Sequence, residues 1–225
     1  MSPVHAVQMA PAYLGVLAVS APIMKWSRLA VTGLDSLPTS GPTILLANHD
    51  SYWDPIAIAV AARSRRQIQA LAKSTIWKFR PIGWLMDSMG QIPIDRGSAN
   101  DAAIAAATQA LAAGACIGVF PEGTRSLGGP LRARSGAGRL AIAVPAATIV
   151  CARVIGTTDV VRVPKRPRIH VHFFRPTDGT ARPGESAGEL MARLLVQIRD
   201  GAPYVAPGRS RTAAKLARRV KDASG

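Results

Sequence analysis

Short apolar runs alternate along this chain with longer stretches of helical character, and this alternation restricts the possible folds more than any other feature. The runs at 43–47, 91–94 and 116–120 are too short for helices and are bounded by Pro, Gly or polar residues, which is typical of buried strands. Strands that alternate with helices predict an α/β fold with a mixed, partly parallel sheet flanked by helices. We predict further strands at 67–72, 148–155 and 168–174, helices at 55–62, 98–113, 138–144, 185–199 and 211–221, and a broken helix at 74–89.

An apolar segment precedes this alternating region. Residues 6–24 contain no charged side chain, and a helix of this length would nearly span a bilayer. Two prolines interrupt the segment. We predict a membrane-associating helix within residues 1–30 that lies in the membrane interface, with packing against the protein's own core as the alternative. The main domain is expected at 31–200, and a basic C-terminal tail or helix at 201–225.

The chain is strongly basic, with a formal net charge of +15. Such a charge is compatible with anionic partners: nucleic acid, anionic lipid headgroups or an acidic protein. Aromatic residues make up only 5% and no nucleic-acid-binding motif is readable, so nucleic acid is the less favoured partner. Cys116 and Cys151 are far apart in apolar runs, which argues against a zinc site or a disulfide framework.

The first polar segment after a predicted strand contains a histidine and an aspartate. His49 directly follows Asn48, and Asp54 lies five residues after His49. Histidine is a common general base near neutral pH, and a carboxylate can orient its ring. On one continuous helix the two side chains would not share a face, so the pair requires His49 in a turn and Asp54 at the start of the next helix. The alternative is a polar turn residue followed by a simple N-cap.

Two further polar segments follow predicted strands. One is Asp95-Arg96-Gly97, in which the guanidinium could bind a phosphate or a carboxylate, although a surface turn is the alternative. The other consists of Pro121, Glu122, Gly123, Thr124 and Arg125. Ligands of α/β sheets gather at the carboxyl ends of strands, so we expect all three polar segments to meet in one site.

These motifs occur in the order and approximate spacing of a known family. From about residue 31 to residue 155, the chain resembles the 1-acylglycerol-3-phosphate O-acyltransferases, the PlsC-like glycerolipid acyltransferases. The resemblance also includes Lys73 and the Arg-Ser-Gly-Ala run at 134–137. A strand that often carries a Pro-Ile-Val-Pro-like run in that family has neither proline at 148–151 here.

The resemblance implies the transfer of a fatty acyl group from a thioester to a lipid hydroxyl. By this resemblance, His49 deprotonates the acceptor and Asp54 orients His49. The acceptor phosphate would be bound by three cationic side chains: Lys73, Arg96 and Arg125. Three neighbouring residues would shape its pocket: Glu122, Gly123 and Thr124. Asn48, Asp95, Gly97 and Pro121 would support these motifs. Backbone N–H groups near the His49 turn are the expected donors to the oxyanion.

The resemblance also implies the partners. The donor would be acyl-CoA or acyl carrier protein, with no metal and no permanently bound cofactor. The acceptor would be lysophosphatidic acid, which is converted to phosphatidic acid in phospholipid biosynthesis at the cytoplasmic, anionic face of the cell membrane. The protein would be peripheral, monotopic or held by a single N-terminal anchor. The alternatives are another lysolipid acceptor (a lyso-phospholipid or lyso-aminolipid) or, from a different class, a basic nucleic-acid- or lipid-binding protein.

Overall fold

The computed structural model describes residues 9–95, 101–161 and 166–206, and contains one seven-stranded sheet. The strands are β1 (Ala30–Thr32), β2 (Thr43–Ala47), β3 (Gln69–Lys73), β4 (Ile92–Ile94), β5 (Cys116–Val119), β6 (Thr148–Ile155) and β7 (His170–Phe174). The helices are α1 (Pro11–Trp26), α2 (Asp54–Ala62), α3 (Arg80–Ser88), α4 (Asp101–Ala112), α5 (Gly136–Ala143) and α6 (Ala187–Asp200).

The strand order is β1-β7-β6-β2-β5-β3-β4. Only the β6–β7 pair is antiparallel, and every other neighbouring pair is parallel. This confirms the predicted mixed α/β sheet flanked by helices. Strand β2 lies between β5 and β6, so the carboxyl ends of these three parallel strands point toward one edge of the sheet.

Strand β2 is buried on both faces because helices cover both sides of the sheet. Leu45 and Ala47 pack into the core formed with α1 and α2, whereas Ile44 and Leu46 pack into the core formed with α4, α5 and α6. All five residues of β2 are buried. A continuous apolar run is the expected sequence of such a strand, since alternate side chains enter two different cores.

The predicted N-terminal helix is α1, which contacts α2. Tyr13, Leu17 and Met24 are buried on one face of α1, at helical spacing, while Leu14 and Val19 are exposed. One face of the helix therefore packs on the domain core, and the other face is left uncovered. Packing on the core is the alternative given above for this segment. None of the helices in the described ranges is long and apolar enough to cross a bilayer.

Most predicted elements match the observed ones to within a few residues. The broken helix predicted at 74–89 is a 3-10 helix followed by α3. Residues 127–135 form an irregular loop before α5. The sequence does not predict β1, because three residues are too few to show a strand pattern. The helix predicted at 211–221 and the first residues of the one predicted at 98–113 lie outside the described residues.

Helix α6 should contribute strongly to stability through its buried face. Leu194 is fully buried in the core with α5, whereas Val196 on the same helix is 69% exposed. We expect Leu194→Ala to lower the free energy of unfolding by about 2–5 kcal/mol, since it leaves a cavity. Val196→Ala is the control and should change it by less than about 0.5 kcal/mol. Chemical denaturation measures both values, and equal losses would contradict this packing.

Candidate active site

The turn between β2 and α2 begins with an anchored asparagine. The buried Asn48 amide donates to the Val154 carbonyl at 2.8 Å and accepts from the Val154 N–H at 2.7 Å. Both bonds continue the pairing of β2 with β6 beyond the last residue of the strand. The turn that follows therefore starts from a fixed point at the carboxyl edge of the sheet.

His49 and Asp54 are brought together by this turn. His49 Nδ1 lies 3.0 Å from Asp54 Oδ2, and Asp54 is fully buried at the first residue of α2. The required geometry, a histidine in the turn and an aspartate at the helix start, is present. The ring of Phe120 stacks on the imidazole, with 4.2 Å between the ring centroids, which restricts the ring further.

The interpretation of Asp54 as a simple N-cap is wrong. Helix α2 begins at Asp54 itself, and the preceding residue, Trp53, makes no side-chain cap. The Asp54 carboxylate instead accepts from the N–H groups of Asp50 at 2.7 Å and Ser51 at 2.8 Å, and from the hydroxyl of Thr157. These hydrogen bonds hold the carboxylate in place and aim it at His49.

The same hydrogen bonds narrow the expectation about the oxyanion, because they occupy three of the N–H groups in the turn. The N–H groups of Asp50 and Ser51 donate to Asp54, and the N–H of His49 donates to Glu122 Oε2 at 2.7 Å. These three N–H groups stabilise carboxylates of the protein and are not free to donate to a substrate oxygen. They serve to shape the turn.

Glu122 is directed inward, below the histidine turn. Its carboxylate is 2% exposed and contacts Arg199, which lies at the end of α6. The Arg199 guanidinium is bidentate to Asp50, at 2.9 and 3.0 Å, and its Nη2 lies 2.5 Å from Glu122 Oε1. One buried arginine, with a side chain that is 6% exposed, therefore joins the His49 turn to the polar segment after β5.

This cluster contains two carboxyl groups, Asp50 and Glu122, but only one guanidinium group, that of Arg199. Burial raises the pKa of the Glu122 carboxyl above its usual value, although Arg199 and the His49 N–H oppose the rise. Burial alone would lower the pKa of Arg199, but the hydrogen bonds and charges of Asp50 and Glu122 outweigh it and raise that pKa. The guanidinium is therefore firmly charged, and it is shared by two carboxyl groups.

Sequence reasoning missed both Asp50 and Arg199. Arg199 is 149 residues from Asp50 and is one of many basic residues in the chain. No local pattern distinguishes it from a surface arginine, because its partners are supplied only by the tertiary fold. Its place in the last turn of a helix is typical of a solvated residue that compensates the helix dipole.

Arg125 and its neighbours lie on the outer side of this cluster. The Arg125 guanidinium lies 3.8 Å from the centroid of the Tyr52 ring, and it donates to the Tyr52 hydroxyl at 3.1 Å. Gly123 has a φ of +69°, and Arg134 packs against it, so both the backbone conformation and the available space favour glycine. Thr124 is exposed.

The remaining predicted site residues lie at the ends of β3 and β4. Lys73, the last residue of β3, is exposed, and Asp95 accepts a hydrogen bond from the Ser74 hydroxyl. Arg96 and Gly97 lie outside the described residues. The structure thus brings Lys73 and Arg125 to the surroundings of His49, and says nothing about Arg96.

A large apolar cavity opens beside His49. Its volume is about 660 Å³, and its walls come mainly from α1, α2, β3 and α3. The side chains of Leu17, Ile58 and Met86 are among its lining, and His49, Lys73 and Arg125 also line it. A long hydrocarbon chain fits this composition, with its polar end near the histidine. Among the described residues, no group of His, Cys, Asp and Glu side chains could hold a metal ion.

Arg199 should be essential to the buried cluster. We expect Arg199→Met to lower the free energy of unfolding by about 3–5 kcal/mol, because it leaves two carboxyl groups buried without their cation. Combining it with Asp50→Asn and Glu122→Gln should restore part of the loss, since no buried charge is then unpaired. Arg182→Met, which breaks an exposed pair with Asp178, is the control and should have little effect. Thermal and chemical unfolding measure these differences, and a full loss in the triple variant would contradict the charge argument.

Comparison with known proteins identifies the family of the chain. The family described as Acyltransferase matches residues 28–156, which is more than half of the chain. A chloroplastic 1-acyl-sn-glycerol-3-phosphate acyltransferase from Arabidopsis thaliana is 30% identical over 122 residues, covering 53% of this chain and 33% of the relative. A 1-acyl-sn-glycerol-3-phosphate acyltransferase from Borreliella burgdorferi is 32% identical over 107 residues, covering 47% and 42%. The alignments thus span less than half the length of these relatives.

A solved structure shares the fold. The 1-acyl-sn-glycerophosphate acyltransferase PlsC from Thermotoga maritima matches with a TM-score of 0.57 and 18% identity, over 98% of this chain and 86% of that one. The predicted family resemblance is therefore confirmed. With its family match across the residues that build the His49–Asp54 turn and the Glu122–Arg125 segment, the chain belongs to the PlsC-like acyltransferase family.

Proposed function

We propose that this protein transfers a fatty acyl group from a thioester donor to the free hydroxyl of lysophosphatidic acid, which gives phosphatidic acid. The observation that carries the proposal is the His49–Asp54 pair beside the 660 Å³ apolar cavity, which Lys73 and Arg125 also line. A base, an apolar chain site and two cations are what a phosphorylated lipid acceptor and an acyl donor require. The relatives named above as 1-acyl-sn-glycerol-3-phosphate acyltransferases support this acceptor.

In the proposed reaction, His49 is the general base. The Asp54 carboxylate accepts from Nδ1–H, which leaves the lone pair on Nε2 to take a proton from the acceptor hydroxyl. As Nε2 takes the proton, the hydroxyl oxygen attacks the thioester carbonyl. Asp54 holds the imidazole in this tautomer and stabilises the imidazolium that forms.

Collapse of the tetrahedral intermediate completes the transfer. The new C–O ester bond remains, the C–S bond breaks, and the proton on His49 passes to the departing thiolate. No serine or cysteine nucleophile is needed in this route, because the acceptor itself attacks the carbonyl. Lys73 and Arg125 bind the acceptor phosphate, and the stack on Tyr52 sets the position of the Arg125 guanidinium.

The proposal includes attachment to the cytoplasmic, anionic face of the cell membrane. Leu14 and Val19 project from α1, and Phe79 and Trp84 are 62% and 71% exposed around the start of α3. Exposed aromatic side chains beside basic ones suit the membrane interface, and Lys78 and Arg80 supply the charge. Because α3 also forms a wall of the apolar cavity, this surface would let a lipid enter from the bilayer.

The catalytic roles are tested by acyl transfer from labelled acyl-CoA to lysophosphatidic acid. We expect His49→Ala to lower kcat at least about 10²-fold, the usual scale for a lost general base. His172→Ala should keep the wild-type rate, since His172 bonds to Thr32 at the sheet edge. Equal rates in the wild type and His49→Ala would exclude this mechanism. Activity on another lysolipid alone would show that lysophosphatidic acid is not the acceptor.

Asp54 is tested by a smaller change in the same assay. Asp54→Asn keeps the volume of the side chain but loses the carboxylate that fixes the imidazole tautomer. We expect kcat to fall at least about 10²-fold, with little change in the KM for lysophosphatidic acid, because the phosphate contacts are unaffected. A rise in KM with an unchanged kcat would show that Asp54 acts on substrate binding instead.

The membrane surface is tested by sedimentation with vesicles that contain anionic phospholipids. We expect Phe79→Ser with Trp84→Ser to lower the bound fraction at least about tenfold, because two exposed aromatic anchors are removed. Val196→Ser, which changes an exposed side chain on α6, is the control. Unchanged binding of the double variant would exclude α3 from the membrane contact.

A further inference from the structure

A second cavity lies on the other side of the Glu122–Arg125 segment. Its volume is about 780 Å³, and its lining residues come from the segment 131–135, from the N-terminal half of α6 and from Glu122 and Thr124. Thr124 also lines the apolar cavity, so this residue borders both spaces. The second cavity has a polar and charged lining, whereas the lining of the first cavity is apolar.

The charge of the second cavity is unbalanced. Arg132 and Arg134 are exposed, and within the described ranges neither guanidinium has a hydrogen bond or an ion pair. Of the two acidic groups at the cavity, Glu122 is paired with Arg199, whereas Glu189 accepts hydrogen bonds from the neutral Ser186 and keeps its negative charge. Two guanidinium groups thus stand against one uncompensated carboxylate. Two unpaired guanidinium groups therefore face a polar space, which is the arrangement that binds phosphate.

The nearby start of α5 adds to this potential. Ser135 precedes the helix and makes no side-chain cap, and the first turn contains no acidic residue. The N-terminal N–H groups of α5 thus carry a positive partial charge that no side chain of the turn compensates. This contribution supplements the two arginines, which remain the basis of the argument.

We propose that this cavity binds the nucleotide phosphates of coenzyme A, the carrier of the acyl group. The inference rests on the proposed function. There, the acyl chain occupies the apolar cavity, and Lys73 and Arg125 bind the acceptor phosphate. The anionic groups still without a binding site are the pyrophosphate and 3′-phosphate of the donor. The thioester of the same donor must lie near His49. Among the described residues, the polar cavity that shares Thr124 with the apolar one offers Arg132 and Arg134 for these phosphates.

A binding measurement tests the site without catalysis. Adenosine 3′,5′-bisphosphate, titrated into the full chain by calorimetry, should bind the wild type. The double variant Arg132→Gln with Arg134→Gln should bind it at least about tenfold more weakly, since charge-assisted hydrogen bonds are lost. The matched control is Arg65→Gln with Arg139→Gln, which removes the same charge from arginines paired with Asp35 and Asp101. Equal weakening in both variants, or no binding to the wild type, would overturn the site.

A kinetic comparison tests its use in the reaction. The double variant should lower the ratio of kcat/KM for acyl-CoA to kcat/KM for acyl-pantetheine, which lacks the nucleotide, at least about tenfold. The Arg65→Gln, Arg139→Gln control should keep this ratio. An unchanged ratio, or a raised KM for lysophosphatidic acid alone, would overturn the assignment to the donor. Binding of adenosine 3′,5′-bisphosphate without any acylation of lysophosphatidic acid would support the cavity and overturn only the proposed acceptor.

Discussion

The buried pairing of Arg199 with Asp50 and Glu122 holds the candidate active site together. Three charged groups removed from water are costly unless each has a partner, and here the guanidinium fork bonds both carboxylates. The cluster constrains the backbone as well, since Glu122 accepts from the N–H of His49. The backbone of His49, the proposed general base, is thereby fixed through an arginine that itself need not touch a substrate.

The sheet explains why these groups can meet at all. Strands β2, β5 and β6 are parallel neighbours, so the turns that follow them share one edge. Asn48 extends the pairing with β6, and Thr157, just beyond β6, donates to Asp54. The histidine turn is therefore held by hydrogen bonds from β6 and the residues that follow it, by Glu122 after β5, and by the ion pairs of Arg199 in α6. These contacts keep the geometry of the His49–Asp54 pair fixed.

Two cavities of different chemistry adjoin this fixed centre. The apolar one, walled by α1, α2 and α3, suits a hydrocarbon chain, and the polar one, with Arg132 and Arg134, suits phosphate. Thr124 stands between them. The proposed transfer of an acyl group from a water-soluble carrier to a lipid requires both kinds of surface close to one base. The separation of apolar and charged walls avoids the cost of burying phosphate among alkyl side chains.

The sequence by itself determined the α/β class and most strand positions, because these depend on local periodicity. It predicted His49 and Asp54 as a pair on the condition that a turn separates them, and the fold supplied that turn. Tertiary structure alone decided what surrounds that pair. The roles of Arg199, Asn48 and Phe120 depend on contacts between residues far apart in the chain, which no local pattern records. The assignment of Asp54 shows the difference: Asp-Pro before a helix predicts an N-cap, whereas the folded turn uses the carboxylate to bind its own N–H groups and His49.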